Sequence, residues 1–314
     1  MTDASGDPEP EKLPMPAEGS RLTAAFIATK LRDVGLGCEV VNLEPVGTVV
    51  LKRDRIIVVL AVAFLTASAW SYLLWLSTDM GMGGMDMTGL RMIPSGMGLM
   101  VPADMPWQAV EFAFVFAMWT VMMVGMMTPS AAPMFLMYAR IGRQTEAQSR
   151  PLAATVWFAI GYFLVWIVFS LFAALVQWAL ERSALLDFTM ATTSNMLGGF
   201  VFVVAGLYQW TRLNELCLAE CQRPFAFLMR HGGYRRDAWG SIILGLRHGA
   251  YCVGCCWALM ALLLVGGVMN VLWIVLLALL AFLERVTSMG RLLPRLAGIV
   301  LIVSGAWLFS MGMA

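Results

Sequence analysis

The sequence predicts an all-α polytopic membrane protein with about seven transmembrane helices and a short N-terminal extramembrane segment. Hydrophobic residues make up 60% of the 314 residues and charged residues only 13%, and the mean hydropathy is +0.77. Several apolar runs approach the roughly 20 residues that a helix needs to cross a bilayer. Basic residues collect beside alternate runs, as expected for loops that stay in the cytoplasm.

Residues 1–55 are predicted to form a cytoplasmic segment, and residues 56–314 the helical transmembrane domain. The polar, partly acidic start lacks the basic residues, apolar core and cleavage site of a signal peptide. Within it, SRLTAAFIATKLRDVGLG predicts a short amphipathic helix that ends at glycine, and CEVVNLEPVGTVVLKRD predicts a short β-hairpin. The segment is too small to bury a core of its own, so we expect it to pack on the membrane domain or to be loosely ordered.

Seven apolar runs define the helices of the membrane domain. They cover roughly residues 56–76, 107–128, 154–180, 195–213, 240–264, 269–283 and 296–313. Lys52, Arg53 and Arg55 precede the first run, and arginine-rich segments follow the second, fourth and sixth, whereas the opposite loops carry only Arg91 and Arg182. This alternation places the N-terminus in the cytoplasm and the C-terminus on the outer side of the membrane.

An external loop, residues 77–106, is rich in methionine. Eight methionines lie between Met80 and Met105 among glycine and aspartate, a composition that predicts a flexible segment without a packed core. Thioethers form no disulfides, so they can bind Cu(I) in an oxidising compartment where free thiols would be lost. The candidate ligands in this loop are Met80, Met82, Met85 and Met87.

The second helix carries two methionine stripes in MWTVMMVGMMTPSAAPM. Met118, Met122 and Met126 follow one another at intervals of four, and Met123 and Met127 form the second stripe. Packing is the ordinary explanation for such a stripe, because methionine fills irregular gaps in a core. The alternative is a row of metal ligands. Pro129 and Pro133 predict a break or kink near the inner face.

The segment HGAYCVGCCWALM places several soft metal ligands inside an apolar helix. At 100° per residue, His248, Cys252 and Cys255 fall within about 60° of one another, with Cys256 at the edge. Cys252 lies about 12 residues inside its predicted helix, or roughly 18 Å from the start.

A second pair of cysteines, Cys217 and Cys221, lies upstream in CLAEC. The two share a face if the fourth helix continues past its membrane end. One cytoplasmic loop separates this pair from the later cluster, so three to five ligands can converge. Thiolate and imidazole together suit Cu(I) or Zn(II), whereas hard cations require carboxylates, which are scarce here.

Several other interpretations of these residues remain open. A cysteine in an apolar helix is ordinarily a small packing residue, and the protein would then be a structural subunit of a membrane complex. Cys252-Val-Gly-Cys255 is also a C-x-x-C pair that a thiol-disulfide oxidoreductase could use. Haem binding through His248 has little support, because the C-x-x-C-H attachment motif is absent.

Composition excludes some functions and partners. The net charge of +1 gives no field that would attract nucleic acid. The sequence has no glycine-rich phosphate-binding loop for a nucleotide, which argues against a primary pump. We favour a non-enzymatic role, with the lipid bilayer and a cuproprotein or a larger membrane complex as partners.

Three segments resemble a bacterial family of predicted metal-binding integral membrane proteins. They are MWTVMMVGMMTPSAAPM, YQWTRLNELCLAECQRPFAF, and HGAYCVGCCWALMALLLVGGVMNVLW followed by FLER. The resemblance covers the predicted core of the metal site, residues 107–290. It implies a multi-spanning domain that handles copper, with Cys217, Cys221, Cys252, Cys255 and Cys256 as ligands and His248 and the methionines of the second helix as helpers.

These observations together predict how the protein would work. Outer methionines would capture Cu(I), and intramembrane thiolates would hold or pass it on, in a permease or in a metallochaperone for a cuproprotein. Zinc remains the alternative metal.

Overall fold

The computed structural model describes residues 46–81, 90–93, 100–102, 105–145, 151–183, 192, 194–287 and 291–312. Most of them are helical. The amphipathic helix predicted at residues 20–37 lies outside this part of the chain, and so do Met82, Met85 and Met87 of the methionine-rich loop.

Ten helices and one β-hairpin make up the described residues. The bounds are α1 Val46–Gly81, β1 Leu90–Met92, β2 Met100–Pro102, α2 Ala109–Thr145, α3 Pro151–Arg182, α4 Asn195–Tyr208, α5 Arg212–Gln222, α6 Pro224–Arg230, α7 Ala238–Ala261, α8 Leu263–Gly266, α9 Val271–Val286 and α10 Leu292–Met311.

A helix lies at each of the seven predicted places. Five helical segments of the described chain are long and apolar enough to cross a membrane: Arg55–Thr78, Ala109–Arg143, Leu152–Arg182, Ala238–Gly266 and Leu292–Met311. The helix α4 is apolar but has only 14 residues, and α9 has 16. Seven complete spans therefore stay a prediction.

The first helix and the loop after it differ from the prediction. The predicted hairpin over residues 38–54 is wrong in its second half, because α1 already begins at Val46. At its other end α1 extends to Gly81, so Met80 belongs to a helix and not to a flexible loop. Part of the methionine-rich loop forms an antiparallel hairpin, in which Arg91 pairs with Val101.

The second helix does not break at its prolines. α2 passes through Pro129 and Pro133 and ends only at Thr145. Around the first proline, the Thr128 hydroxyl donates to the Val124 carbonyl at 2.5 Å, and the Ser130 hydroxyl donates to the Met127 carbonyl at 3.0 Å. Such side-chain hydrogen bonds and packing against neighbours make proline tolerable inside membrane helices.

Glycines allow two pairs of helices to approach closely. A Cβ on Gly161 of α3 would collide with the Ile242 carbonyl of α7, and one on Gly245 of α7 would collide with the Phe158 carbonyl of α3. On the other side of the bundle, a Cβ on Gly206 of α4 would come 2.7 Å from the Gly298 carbonyl oxygen of α10. These glycines are therefore used for packing within the chain.

Several shorter helices end at one level, beside the middle of α7. Tyr208, the last residue of α4, donates a hydrogen bond to the Gly254 carbonyl of α7. Arg285, near the end of α9, donates to the Cys252 carbonyl at 3.2 Å. Helices α2 and α7 continue past this level. In their continuation the Tyr138 and Ser241 hydroxyls lie 3.0 Å apart. The cysteine-rich part of α7 thus lies where the shorter helices end.

Candidate metal centre

Three buried cysteines lie close together in the middle of α7. Cys252, Cys255 and Cys256 are each only 2–3% exposed. The thiols of Cys255 and Cys256 donate to the Cys252 carbonyl at 3.1 and 3.0 Å. The helical repeat explains these two hydrogen bonds, because Cys255 and Cys256 follow Cys252 by three and four residues and so lie one turn further along the same face of α7.

A fourth thiol comes from a separate helix. The sequence left open whether the fourth helix continues through Cys217 and Cys221. It does not, because α4 ends at Tyr208 and a new helix, which carries both cysteines, starts after Thr211. The Thr211 side chain caps the new helix by accepting a hydrogen bond from the Asn214 N–H. α5 then brings the Cys221 sulfur within 4.0 Å of the Cys255 sulfur.

The two cysteines of α5 have different surroundings. The Cys217 thiol lies against Gly254, where an added Cβ would come 2.8 Å from its sulfur. Burial raises the pKa of the Cys217 thiol. Hydrogen bonds with Cys252 and Cys255, together with burial, raise the pKa of the Cys221 thiol. A metal ion would therefore have to displace a firmly held proton from each.

A guanidinium group lies inside the thiol cluster. Arg285 is 6% exposed. Its Nη2 approaches the Cys256 sulfur at 2.9 Å and the Cys255 sulfur at 3.5 Å, while its Nη1 donates to the Ser130 hydroxyl at 2.6 Å and approaches the Met127 sulfur at 3.2 Å. The sequence showed Arg285 only as one of the basic residues that set the topology.

Arg285 has no ion pair with a carboxylate in the part of the chain that the structure describes. The neighbouring Glu284 is buried but faces elsewhere, where its carboxylate accepts a hydrogen bond from the Gln209 amide at 2.9 Å. Burying an uncompensated charge costs several kcal/mol, so Arg285 requires a negative partner. The sulfurs of Cys255 and Cys256 are the groups within reach that can become negative, by losing the protons that they donate to the Cys252 carbonyl.

His248 is buried one turn before Cys252 and is only 3% exposed. Aromatic rings surround it, and its ring centre lies 5.1 Å from that of Phe227, 5.8 Å from Tyr162 and 5.9 Å from Phe158. Among the described residues its Nδ1 has no hydrogen-bond partner. An orphaned buried nitrogen beside a thiol cluster is an available metal ligand, since neutral imidazole binds Cu(I) and Zn(II).

Tyr162 connects three helices at the site, and no motif in the sequence pointed to it. It is fully buried, and its hydroxyl lies 3.0 Å from the Cys252 sulfur and 3.4 Å from the Met127 carbonyl oxygen. The side chain comes from α3, so it joins this helix to α2 and α7 beside the first thiol.

The methionine stripes of α2 lead to the cluster. Met118, Met122 and Met126 are at most 2% exposed, and Met123 and Met127 are fully buried. Met127, which belongs to the second stripe, contacts Arg285 and so borders the thiols. From Ala109 at the start of α2 to Met127 is about 27 Å at 1.5 Å per residue.

The donor set fits a soft metal ion, although the groups are not yet arranged as ligands. No group of three or more His, Cys, Asp or Glu within the described ranges has the geometry of a metal site, and Arg285 lies among the thiols. The atoms that converge are thiol and thioether sulfurs with one imidazole close by, the ligands that Cu(I) prefers.

Five spanning-length helices and buried soft donors indicate a membrane protein that handles a soft metal. The family model of PpoB2, described as a copper chaperone, matches residues 116–308, and the chain belongs to this family. The match confirms the predicted resemblance to a copper-handling family and extends it into the last helix. No curated protein and no solved structure matches the chain significantly.

Proposed function

We propose that this protein is an integral membrane copper chaperone that binds Cu(I) through the thiols of Cys221, Cys252, Cys255 and Cys256. One observation carries the proposal: these thiols and the Met127 thioether surround a buried guanidinium in a member of a copper chaperone family. His248 completes the donor set with an unsatisfied Nδ1.

Charge balance supports Cu(I) as the cargo. Two thiols that bind Cu(I) lose two protons, which gives a dithiolate complex with a net charge of −1. The +1 charge of Arg285 then offsets it inside the protein. The same guanidinium lies 2.9 Å from the Cys256 sulfur and 3.5 Å from the Cys255 sulfur, close enough for this compensation.

The proposed topology has seven spans, with the N-terminus in the cytoplasm of a bacterium and α1, α2, α3, α4, α7–α8, α9 and α10 crossing its inner membrane. The basic residues beside alternate helices support this orientation. Measured along α2, Met127 lies about 27 Å from the outer end, close to the roughly 30 Å of hydrocarbon. The thiol cluster would therefore lie near the cytoplasmic boundary of the membrane, closer to the cytoplasm than the roughly 18 Å of helix before Cys252 predicted.

A route for copper follows from this placement. Met118, Met122 and Met126 form a buried thioether stripe along the membrane part of α2, and Met127 ends the neighbouring stripe at the thiols. Thioethers at intervals of about 6 Å allow Cu(I) to pass between soft ligands. Met80, Met82, Met85 and Met87 would capture copper at the outer end.

Metal analysis tests the proposal directly. Anaerobically purified protein from cells grown with copper and with zinc should contain about one copper per chain by mass spectrometry. The Cys252→Ser/Cys255→Ser variant should lose it, because two of the four thiols are gone. Cys38→Ser, which removes the one cysteine that lies outside residues 217–256 of the sequence, is the matched control. Unchanged copper in the double variant, or preferential zinc loading, would contradict the assignment.

A permease and a chaperone differ in where the copper goes. Protein reconstituted in vesicles and loaded with Cu(I) should transfer the ion to an apo-cuproprotein on one side. Copper accumulation inside the vesicles without an acceptor protein would instead favour a permease.

Thiol-disulfide exchange is the second candidate, and the 4.0 Å separation of the Cys221 and Cys255 sulfurs favours that pair over Cys252 and Cys255. Alkylation with and without reductant distinguishes the candidates. A reversible disulfide in copper-free protein that retains no metal would favour the redox enzyme.

A further inference from the structure

A cavity of about 690 Å³ lies beside α5, between the end of α4 and the first turns of α10. Its polar lining includes Arg212, Glu215, Arg223, Arg291 and Arg295. At 100° per residue, Arg212 and Glu215 fall on the face of α5 opposite Cys217 and Cys221. The cavity is therefore separate from the thiol cluster and is not needed to hold copper.

The cavity lining carries a net positive charge that no other residue in the described part of the chain neutralises. Four arginines and one glutamate give the lining a formal charge of +3. Glu215 pairs with Arg291 at 3.2 Å and with Arg295 at 3.4 Å. Arg212 and Arg223 have no ion pair among the described residues. Arginine binds phosphate oxygens through paired hydrogen bonds, so the lining suits a phosphate-bearing anion.

The position of the cavity indicates where such an anion comes from. The end of α4 and the start of α10 meet at the cavity. In the proposed topology they lie at the level of the lipid headgroups. Trp210, which is 52% exposed, donates its indole N–H to the Arg295 carbonyl at 3.2 Å. Partly exposed tryptophan is typical of the membrane interface.

An exposed apolar strip continues from the cavity along α10. Its members follow the helical repeat and are 46–63% exposed: Leu296, Ile299, Val303 and Trp307. Ile299 lies one turn after Arg295, so the strip begins beside the arginines. A molecule with a phosphate at one end and a hydrocarbon chain at the other matches the arginine-lined cavity followed by the apolar strip.

We propose that the cavity binds the headgroup of an anionic phospholipid, with an acyl chain along the strip on α10. Basic pockets between membrane helices near the cytoplasmic side are suited to anionic headgroups. Free phosphate shares the headgroup chemistry, but it cannot use the apolar strip. The site would anchor α5, the helix that carries Cys221, at the membrane surface.

Native mass spectrometry on the delipidated full-length protein tests this inference. Phosphatidylglycerol should bind at least tenfold more tightly than zwitterionic phosphatidylcholine. The Arg212→Gln/Arg223→Gln variant should weaken phosphatidylglycerol binding about twenty-five-fold, because each arginine near the surface contributes roughly a factor of five. Arg140→Gln/Arg247→Gln, which removes two exposed arginines outside the cavity, should bind as the wild type does.

Three results would overturn the inference. One is equal binding of the two lipids, and another is an equal loss in the control variant. The third is displacement of phosphatidylglycerol by millimolar inorganic phosphate, which would identify a site for a soluble anion. Copper content and the melting temperature of each variant verify that it is folded. If the double variant cannot be purified, the single variants Arg212→Gln and Arg223→Gln serve the same comparison.

Discussion

At the scale of single residues, the buried charge of Arg285 distinguishes the thiol cluster from ordinary packing. Small apolar residues could pack where Cys255 and Cys256 lie, but they would leave the guanidinium only neutral partners, among them the Ser130 hydroxyl and the Cys252 carbonyl. A buried charge that loses its partner costs about 3–5 kcal/mol. The cysteines are therefore required by charge as well as by volume.

Arg285→Met is expected to weaken Cu(I) binding at least tenfold, because the anionic dithiolate complex loses its counter-charge. Competition with a Cu(I) chelator measures the affinity. Arg285→Lys, which keeps the charge, should recover part of it. Tighter binding in Arg285→Met would show instead that the guanidinium only blocks the sulfurs.

The two cysteines of α5 should differ in their importance for copper. Cys221 lies 4.0 Å from Cys255, whereas the Cys217 thiol lies against Gly254. Cys221→Ser should therefore lower the Cu(I) affinity more than about tenfold, and Cys217→Ser less than threefold, since each tenfold step corresponds to about 1.4 kcal/mol. Chelator competition on both variants checks the difference. Equal losses would place Cys217 among the ligands.

At the scale of the helices, the site depends on the close crossing of α3 and α7. Gly161 and Gly245 bring the two backbones together, and this approach places Tyr162 beside Cys252. Packing between α3 and α7 thus fixes the position of the first thiol.

Gly245→Ala should destabilise the protein by about 1–3 kcal/mol, because its Cβ would collide with the Phe158 carbonyl and force the helices apart. Thermal unfolding in detergent, with and without Cu(I), measures the loss. Ala250→Val on the exposed side of α7 is the control for a change of side-chain volume. A variant with the wild-type melting temperature would show that the crossing can adjust.

At the scale of the whole molecule, the position of the cluster depends on the number of membrane crossings. The seven-span topology places the turn between α8 and α9 outside and the segment between α9 and α10 inside. Neither α4 nor α9 reaches the usual length of a spanning helix.

Met269→Cys should react with a membrane-impermeant thiol reagent in intact cells, whereas Thr287→Cys should react only after the cells are opened. Labelling in a background without the native cysteines, followed by mass spectrometry, measures both. Reaction at both positions from the same side would show that α9 does not cross, and the inferred depth of the cluster would be wrong.

The sequence by itself determined the approximate places of the seven apolar helices and which donors α7 carries. Apolar runs predicted seven helices because length and hydropathy are local properties. The 100° repeat likewise placed His248, Cys252 and Cys255 on one side of a single helix, and all three are buried. The break predicted at Pro129 and Pro133 does not occur, because contacts with neighbouring groups let α2 continue through both prolines.

Only the tertiary structure decided which groups meet these donors. Arg285 reaches Met127 across 158 residues of sequence, and Cys221 approaches Cys255 from a separate helix. Tyr162 and Met127 enter the site in the same way, through contacts between different helices. Such contacts depend on the level at which each helix ends and on the glycines that let helices approach, and no local periodicity encodes either.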